Sequence, residues 1–272
     1  MDKDNSKTYL NKDLINEIIS LIKNDKLELA QNKIESLLYK FPLSDIALNL
    51  KGTIFFKKKE YEIAQSNFSE ALKINPHFIS AKLNLGIVYQ NLGKNEEALK
   101  CYKEIAKINN TLPTVYNNMG FILYTQNKYS EAIKELNKAI ELKKDYAEAY
   151  LNLGMVYLNL RKYQEAIKYF NQSLVHNKKL TSVYYYLGEC YKNIDDIDKA
   201  LSYYALSHHQ KTNSRILECY FILNKKKEYQ KLISSISKND PDNRRIAAIS
   251  AYISNQFNIR NIYPFCPKPL NF

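Results

Sequence analysis

Glycine recurs in this chain at a fixed interval, and that interval constrains the fold more than any other feature. Five of the six glycines lie 34 residues apart and are called the lattice glycines here. They are Gly52, Gly86, Gly120, Gly154 and Gly188. An alanine stands twelve positions after each of them, and large apolar side chains stand three and sixteen positions after each. Self-similarity at such a period is typical of repeat architectures, so the sequence predicts a stack of similar units.

The spacing inside each unit is helical. Large residues recur at three- and four-residue steps, which is the period of an apolar stripe on a helix. In one unit the pattern predicts helices over 79–91 and 95–108, separated by a polar break that contains Gly93. Each unit is therefore interpreted as an antiparallel helix pair. Because glycine inside a helix costs about 1 kcal/mol relative to alanine, its repetition indicates a packing requirement where the two helices cross closely.

This 34-residue helix pair resembles the tetratricopeptide repeat (TPR) family. The best copy reads Tyr-Leu-Asn-Leu-Gly-Met-Val-Tyr over residues 150–157 and continues with Ala166 and Phe170. Pro76 stands at the family's terminal proline position. The resemblance implies an all-α fold, a right-handed superhelical solenoid of antiparallel helix pairs.

Counting the lattice glycine as the eighth residue of each unit divides the chain into five segments. They are an N-terminal segment with a degenerate repeat, five clear TPR units, a second degenerate repeat, a capping helix and a proline-containing non-helical tail. The segments are residues 1–44, 45–212, 213–241, 242–260 and 261–272. Ile18 replaces glycine in the first degenerate repeat, and Tyr229 and Pro241 echo the pattern out of phase in the second. An open stack needs a terminal helix over its last core, and three prolines oppose a helix in the tail.

The sequence offers little for catalysis. It contains no G-x-S-x-G, H-E-x-x-H or C-x-x-C motif, and glycines held on the lattice cannot form a phosphate-binding loop. His208 and His209 are adjacent, so they diverge by about 100° on a helix and do not form a ligand pair. Cys101 and Cys190 stand beside core positions, which predicts packing. We therefore expect a non-enzymatic protein without a cofactor or a metal.

Charge and hydropathy limit the classes of partner. The formal net charge is +12, but lysine and glutamate alternate along the second helices, which indicates a solvated outer face. Most of the 23 tyrosines fall on core positions, so the sequence argues against nucleic-acid binding. Neither a secretory signal nor an apolar run of about 18 residues is present. We expect no membrane span, a cytoplasmic location and reduced cysteines.

In the TPR family the first helices line a concave groove that binds peptides. By that resemblance, asparagine occupies the sixth groove position in three consecutive units and in the degenerate first repeat, and the fifth position in two units. With neighbouring aromatic residues, the candidate peptide-binding groove is Asn16, Asn49, Asn84, Asn117, Asn118, Phe121, Tyr124, Asn152 and Tyr185. A primary amide both donates and accepts hydrogen bonds, so such a row can bracket the backbone of an extended peptide. The column is similar to the asparagine ladder of the O-linked N-acetylglucosamine transferase superhelix. The alternative is that asparagine is simply common at this position.

The leading hypothesis is an adaptor or scaffold that binds an extended or partly helical segment of a partner protein in its concave groove. The alternative is a self-associating assembly element, a homo-oligomer that docks through its terminal repeats and the tail 261–272. An RNA-binding solenoid is the remote alternative and predicts an affinity that falls steeply with salt. The fifth and ninth groove positions carry no Lys or Arg, which argues against a clamp for a chaperone's C-terminal carboxylate.

Overall fold

A computed structural model describes residues 12–207, 211–240 and 243–259, which form fifteen α-helices. The tail 261–272, His208, His209, Pro241 and Cys266 lie outside the described residues. The chain also divides into two larger compact parts, Met1–Leu142 and Lys143–Phe272. They are called the first unit and the second unit from here on, and each contains several repeats. Within the described ranges, no helix combines the length and apolar character needed to cross a bilayer.

The first unit contains eight of these helices. They are α1 Lys12–Lys23, α2 Leu27–Lys40, α3 Asp45–Lys57, α4 Tyr61–Ile74, α5 Ile79–Asn91, α6 Asn95–Ile108, α7 Pro113–Thr125 and α8 Tyr129–Leu142. Each odd-numbered helix packs on the helix that follows it, and the second helix of one pair contacts the first helix of the next. The helices predicted over 79–91 and 95–108 are confirmed residue for residue as α5 and α6.

The second unit contains seven described helices. They are α9 Ala147–Asn159, α10 Tyr163–His176, α11 Ser182–Asn193, α12 Ile197–Ala205, α13 Thr212–Ile222, α14 Lys226–Asn239 and α15 Arg244–Gln256. The pairs α9/α10, α11/α12 and α13/α14 repeat the packing of the first unit, and α15 packs on α13. Ile246 and Ile253 of α15 join Leu217, Tyr229 and Ile233 in one buried cluster. The predicted all-α class is confirmed.

The lattice glycines make room for one large side chain each. A Cβ built on Gly86 would lie 2.6 Å from Tyr102 Cε1, and one on Gly154 would lie 2.6 Å from Phe170 Cδ1. The other three lattice glycines meet the residue sixteen positions later in the same way. A small residue is therefore needed where the two helices cross, as predicted. The group that approaches the glycine is chiefly a large side chain of the second helix rather than the backbone of that helix.

A left-handed residue ends the first helix of every pair. In the first unit these residues are Asp25, Lys59, Gly93 and Asn127, and in the second they are Arg161, Asp195, Asn224 and Asn258. After α3, the amide of Glu60 donates to the carbonyl of Phe55 at 2.9 Å, a hydrogen bond typical of the Schellman turn. Successive turns are one full repeat apart except for Asp195 and Asn224, which lie closer together in the sequence. Asp195 and Asn224 are 29 positions apart instead of 34, and this shorter interval explains why the second degenerate repeat is out of phase in the sequence.

Candidate functional site

Two predicted groove asparagines of the first unit hydrogen-bond to each other. Asn84 Nδ2 on α5 donates to Asn49 Oδ1 on α3 at 3.0 Å. Asn84 is half-buried, whereas Asn49 is 9% exposed. The hydrogen bond therefore connects the first helices of two consecutive repeats. Asn49 is buried and orients Asn84, and its own amide is largely shielded from solvent.

A second amide network joins α7 to α5 through a tyrosine of α6. Asn117 Nδ2 donates to Asn118 Oδ1 at 3.3 Å, and Asn118 Nδ2 donates to Tyr102 Oη at 3.3 Å. The Tyr102 hydroxyl in turn donates to Gln90 Oε1 at 2.5 Å. Asn117 is 7% exposed, and Asn118 is half-buried. Asn49, Asn84, Asn117 and Asn118 together are called the amide surface below.

Two further residues, Tyr102 and Gln90, support this surface and are absent from the predicted groove. The apolar spacing predicts a core role for Tyr102, and its ring does pack against Gly86. Its hydroxyl, however, passes beyond the core to the amide surface. The available signal is the choice of tyrosine rather than phenylalanine at that lattice position, because a buried hydroxyl normally requires a hydrogen-bond partner.

Apolar groups adjoin the amide surface. Thr53, Phe56 and Ile87 line a cavity of about 30 Å³ with Asn84 and Phe68. On α7, the rings of Phe121 and Tyr124 lie 6.2 Å apart, and Phe121 is 37% exposed. The first helices of this unit therefore carry apolar side chains next to the amide groups. Asn16 lies on α1 and is exposed.

In the second unit the predicted site residues lie in a different environment. Asn152 is half-buried on α9, and Tyr185 on α11 is 7% exposed. Tyr185 packs against Tyr204 with a ring separation of 5.9 Å. The Tyr204 hydroxyl donates to Glu189 Oε1 at 2.6 Å. The corresponding tyrosine of the first unit reaches amides, whereas this one reaches a carboxylate.

Four charged side chains join α11 to α13 in the second unit. Arg215 Nε lies 2.8 Å from Glu189 Oε1, and Arg215 NH1 lies 2.9 Å from Glu218 Oε2. Lys192 also pairs with Glu218. The side chains of Glu189 and Arg215 are 17% and 24% exposed. None of the four residues of this charged cluster, Glu189, Lys192, Arg215 and Glu218, belongs to the predicted peptide-binding groove.

The electrostatics of the charged cluster favour the ionised forms. Burial raises the pKa of Glu218, but Lys192 and Arg215 outweigh burial and hold it below its ordinary value. Burial lowers the pKa of Arg215, and the nearby carboxylates of Glu189 and Glu218 outweigh burial and raise it. The cluster therefore contributes stability above the pKa of an unfolded glutamate, about 4.3, and loses that contribution as the pH falls through the lowered folded value.

The cysteines of the described residues are free thiols, and Cys190 and Cys219 are fully buried. Burial raises the pKa of Cys190 to about 12, and it raises the pKa values of Cys101 and Cys219 to about 11. An inert thiol of this kind packs as a small apolar group and is a poor nucleophile. Among the described residues, no group of three His, Cys, Asp or Glu side chains could hold a metal ion.

These thiols predict a loss of stability at alkaline pH. An unfolded cysteine ionises near pH 8.5, whereas the pKa values of the folded thiols lie at about 11 or 12 and keep them protonated. The folded state therefore loses about 1.4 kcal/mol per pH unit for each buried thiol above about pH 9. Urea unfolding between pH 8 and pH 10.5 should show a shallower decline for Cys190→Ala than for the wild type. Parallel declines would contradict this explanation.

Sequence-family comparison decides how this architecture is classified. Models described as TPR repeat match residues 91–127 and 122–160, and models described as tetratricopeptide repeat match 46–78, 147–180 and 182–206. Together these matches cover more than half of the chain. The chain belongs to the tetratricopeptide repeat family. The TPR fold is typically a non-catalytic scaffold, and membership of the family supports a role in protein–protein interaction in general.

Solved structures support the TPR fold at low sequence identity. PilF of Pseudomonas aeruginosa is 22% identical, with a TM-score of 0.65 over 76% of this chain and 97% of PilF. PilW, a type IV pilus biogenesis factor, is 17% identical, with a TM-score of 0.69 over 75% of this chain and 97% of PilW. A chain of the APC/C hetero-tetramer Cut9–Hcn1 is 18% identical, with a TM-score of 0.75 over 91% of this chain and 50% of that one. No curated protein matches this TPR chain in sequence.

Proposed function

We propose that this TPR protein is an adaptor that binds an extended segment of a partner protein, and that the amide surface holds the backbone of that segment. The observation that carries the proposal is the support of the two half-buried amides. Asn84 donates to Asn49 at 3.0 Å, and Asn118 donates to Tyr102 at 3.3 Å. Both amides are therefore oriented before a ligand arrives, which reduces the entropy that binding loses.

The chemistry of an amide suits a peptide backbone. A primary amide has two donor hydrogens and an oxygen that accepts two hydrogen bonds, and the bond to Asn49 uses one donor of Asn84. Peptide N–H and C=O groups alternate along an extended strand and match this pattern whatever the side chains are. The side chains of Phe56 and Ile87 beside Asn84 add apolar contacts. In the second unit, considered by itself, we assign Asn152 on α9 the same kind of backbone contact.

The test begins with peptides selected from a random display library on the wild-type chain. Replacing Asn84, Asn118 and Asn152 with alanine is expected to weaken binding of these peptides about tenfold or more, since each hydrogen bond contributes about 1 kcal/mol. Fluorescence polarisation measures the affinity. The melting temperature is measured alongside, because Tyr102 keeps its hydrogen bond to Gln90 whereas buried Asn49 and Asn117 each lose an amide partner.

A matched control distinguishes the surface from a general effect of losing asparagine. Asn137 and Asn171 are exposed on the second helices α8 and α10, so their replacement with alanine should leave peptide affinity unchanged. Backbone N-methylation of a selected peptide should weaken binding to the wild type and have little effect on the triple variant. Equal affinity of the wild type and the folded triple variant would overturn the proposal.

Two predictions from the sequence remain predictions. Self-association through the tail 261–272 concerns residues outside the described ranges. A cytoplasmic location likewise stays a prediction. Capture of partners from a native lysate by the wild type, compared with the triple variant, would then identify the natural ligand.

A further inference from the structure

An open apolar pocket lies at the α13–α15 end of the second unit. Its apolar lining consists of Phe221, Ile222, Ala248, Ile249, Tyr252 and Ile253, and its volume is about 460 Å³. Lys192 and Glu218 of the charged cluster form the remaining edge. Ile222 is 53% exposed and Tyr252 is 61% exposed. Large apolar groups exposed together in a concave pocket of this size indicate a binding site.

Helix α15 forms one wall of this pocket, and no described second helix follows it in the chain. After α15, the chain turns at the left-handed Asn258, and the amide of Ile259 donates to the carbonyl of Ser254 at 3.0 Å. The same turn follows α13 at Asn224, where the amide of Lys225 donates to the carbonyl of Tyr220 at 2.8 Å. Residues 260–272 therefore follow α15 at the point where a second helix follows the other first helices.

The composition of residues 260–272 does not suit a second helix. Pro264, Pro267 and Pro269 oppose continuous helix formation, whereas closely spaced prolines favour an extended backbone that loses little entropy on binding. The segment also contains Ile262, Tyr263, Phe265, Leu270 and Phe272. The segment is thus rich in apolar side chains on a backbone that prolines keep from forming a helix. Such a segment is better suited to inserting side chains into a pocket than to packing as a helix.

We propose that residues 260–272 turn back onto the second unit and place Tyr263 and Phe265 in the α13–α15 pocket. Tyr252 lies four positions before α15 ends at Gln256, about 6 Å along the helix at about 1.5 Å per residue, and Ile259 follows the turn three residues later. Six extended residues span about 20 Å, so the two rings reach the pocket. The segment carries Arg260 and Lys268 and no acidic residue. Because Lys192 and Arg215 already pair with Glu218 at the pocket edge, the fit of the segment rests on its apolar side chains.

Covalent connection favours this occupant over a separate molecule. A short flexible tether places its end near the site at an effective concentration of about millimolar, so even a weak contact is populated. Because Lys192 lies on both the pocket and the charged cluster, a bound tail covers part of the first-helix surface of this unit. The tail is then an internal ligand that a partner protein must displace there.

Disulfide trapping with the native tail cysteine tests this contact. Ala248 is exposed in the pocket, so Ala248→Cys introduces a thiol that Cys266 can reach if the tail is bound. The raised pKa values of Cys101, Cys190 and Cys219 keep these thiols protonated at pH 8. Mild oxidation of the full-length chain at low concentration, followed by peptide mass spectrometry, should reveal an intramolecular link between residues 248 and 266.

Two controls separate a bound tail from a free one. Ala205→Cys places a thiol on the exposed end of α12, outside the pocket lining, and is expected to form the link at least about tenfold more slowly. Adding Tyr263→Asp and Phe265→Asp to Ala248→Cys removes the apolar contacts without altering a described residue, and it should slow the link to a similar degree. Equal rates for the apolar and the Asp-substituted tails would overturn the proposal. A predominance of disulfide-linked dimers would also overturn it, because the occupant would then be a second copy.

Discussion

Gly154→Val is expected to destabilise the protein by about 3 kcal/mol or more, because it overpacks the crossing of α9 and α10. A Cβ at this position would lie 2.6 Å from both Cδ1 and Cε1 of Phe170. Phe170 is fully buried and its ring is rigid, so the ring cannot move aside without disturbing its neighbours. Gly154→Ala should have a smaller effect, since alanine gains about 1 kcal/mol of helix propensity over glycine.

Urea unfolding followed by circular dichroism measures this effect, and a double-mutant cycle assigns its cause. Phe170→Ala alone is expected to cost about 4 kcal/mol. Combined with Gly154→Val it should cost less than the sum of the two, because the valine occupies space that the ring has left. A coupling of about 2 kcal/mol is expected. Strict additivity would show that the clash with Phe170 is not the reason for glycine here.

Gly93→Ala is the matched control for glycine itself. Gly93 has a φ of +72°, and no atom lies within 4 Å of a Cβ built there. Its replacement should cost about 1 kcal/mol through the left-handed backbone alone. No replacement of a neighbouring side chain should recover that loss. The two glycines therefore serve different purposes, a close approach at Gly154 and a backbone conformation at Gly93.

Arg215→Met is expected to destabilise the protein by about 2 kcal/mol at pH 7, because it removes the shared partner of two partly buried carboxylates. Arg215 lies within 2.9 Å of both Glu189 and Glu218. Those carboxylates are 17% and 27% exposed, and Glu218 keeps only Lys192 once the guanidinium is gone. The expected loss lies below the range for fully buried pairs because water reaches part of the cluster.

The pH dependence gives this prediction a second readout. Lys192 and Arg215 outweigh burial and hold the pKa of Glu218 below its ordinary value. The stabilisation is therefore present above about pH 4.3 and is lost as the pH falls through the lowered folded pKa. The difference between the wild type and Arg215→Met should consequently narrow as the pH falls from about 4.3 through the lowered folded pKa of Glu218. Unfolding curves at pH 7 and pH 3.5 compare the two.

Lys225→Ala provides the control for an ordinary ion pair in the same unit. Lys225 Nζ lies 3.3 Å from Asp198 Oδ1, and the Asp198 side chain is 76% exposed. Its loss should change stability by about 0.5 kcal/mol or less. If Arg215→Met were equally mild, the ion pairs that connect α11 to α13 would not stabilise the fold.

Much of the fold follows from the chain's own periodicity. The glycine lattice predicts the helix pairs, and the limits of α5 and α6 agree with the structure because apolar spacing and turn composition are local signals. The left-handed turns are less visible in the sequence. Gly93 marks one of them, but Lys59 and Arg161 adopt the same conformation without glycine, since the hydrogen bonds of the turn and the helix packing over-determine the backbone there.

The candidate site, too, is partly predictable from the sequence and partly decided by tertiary packing. Periodicity and family resemblance place Asn84 and Asn118 on first helices, because a position in the repeat determines the face of the helix. Only tertiary packing decides the burial of Asn49, the link from Asn118 through Tyr102 to Gln90, and the meeting of Arg215 with Glu189. Each of these joins side chains from different helices. A repeat pattern specifies which residues share a face, whereas the contact between faces depends on how helices from different repeats pack in three dimensions.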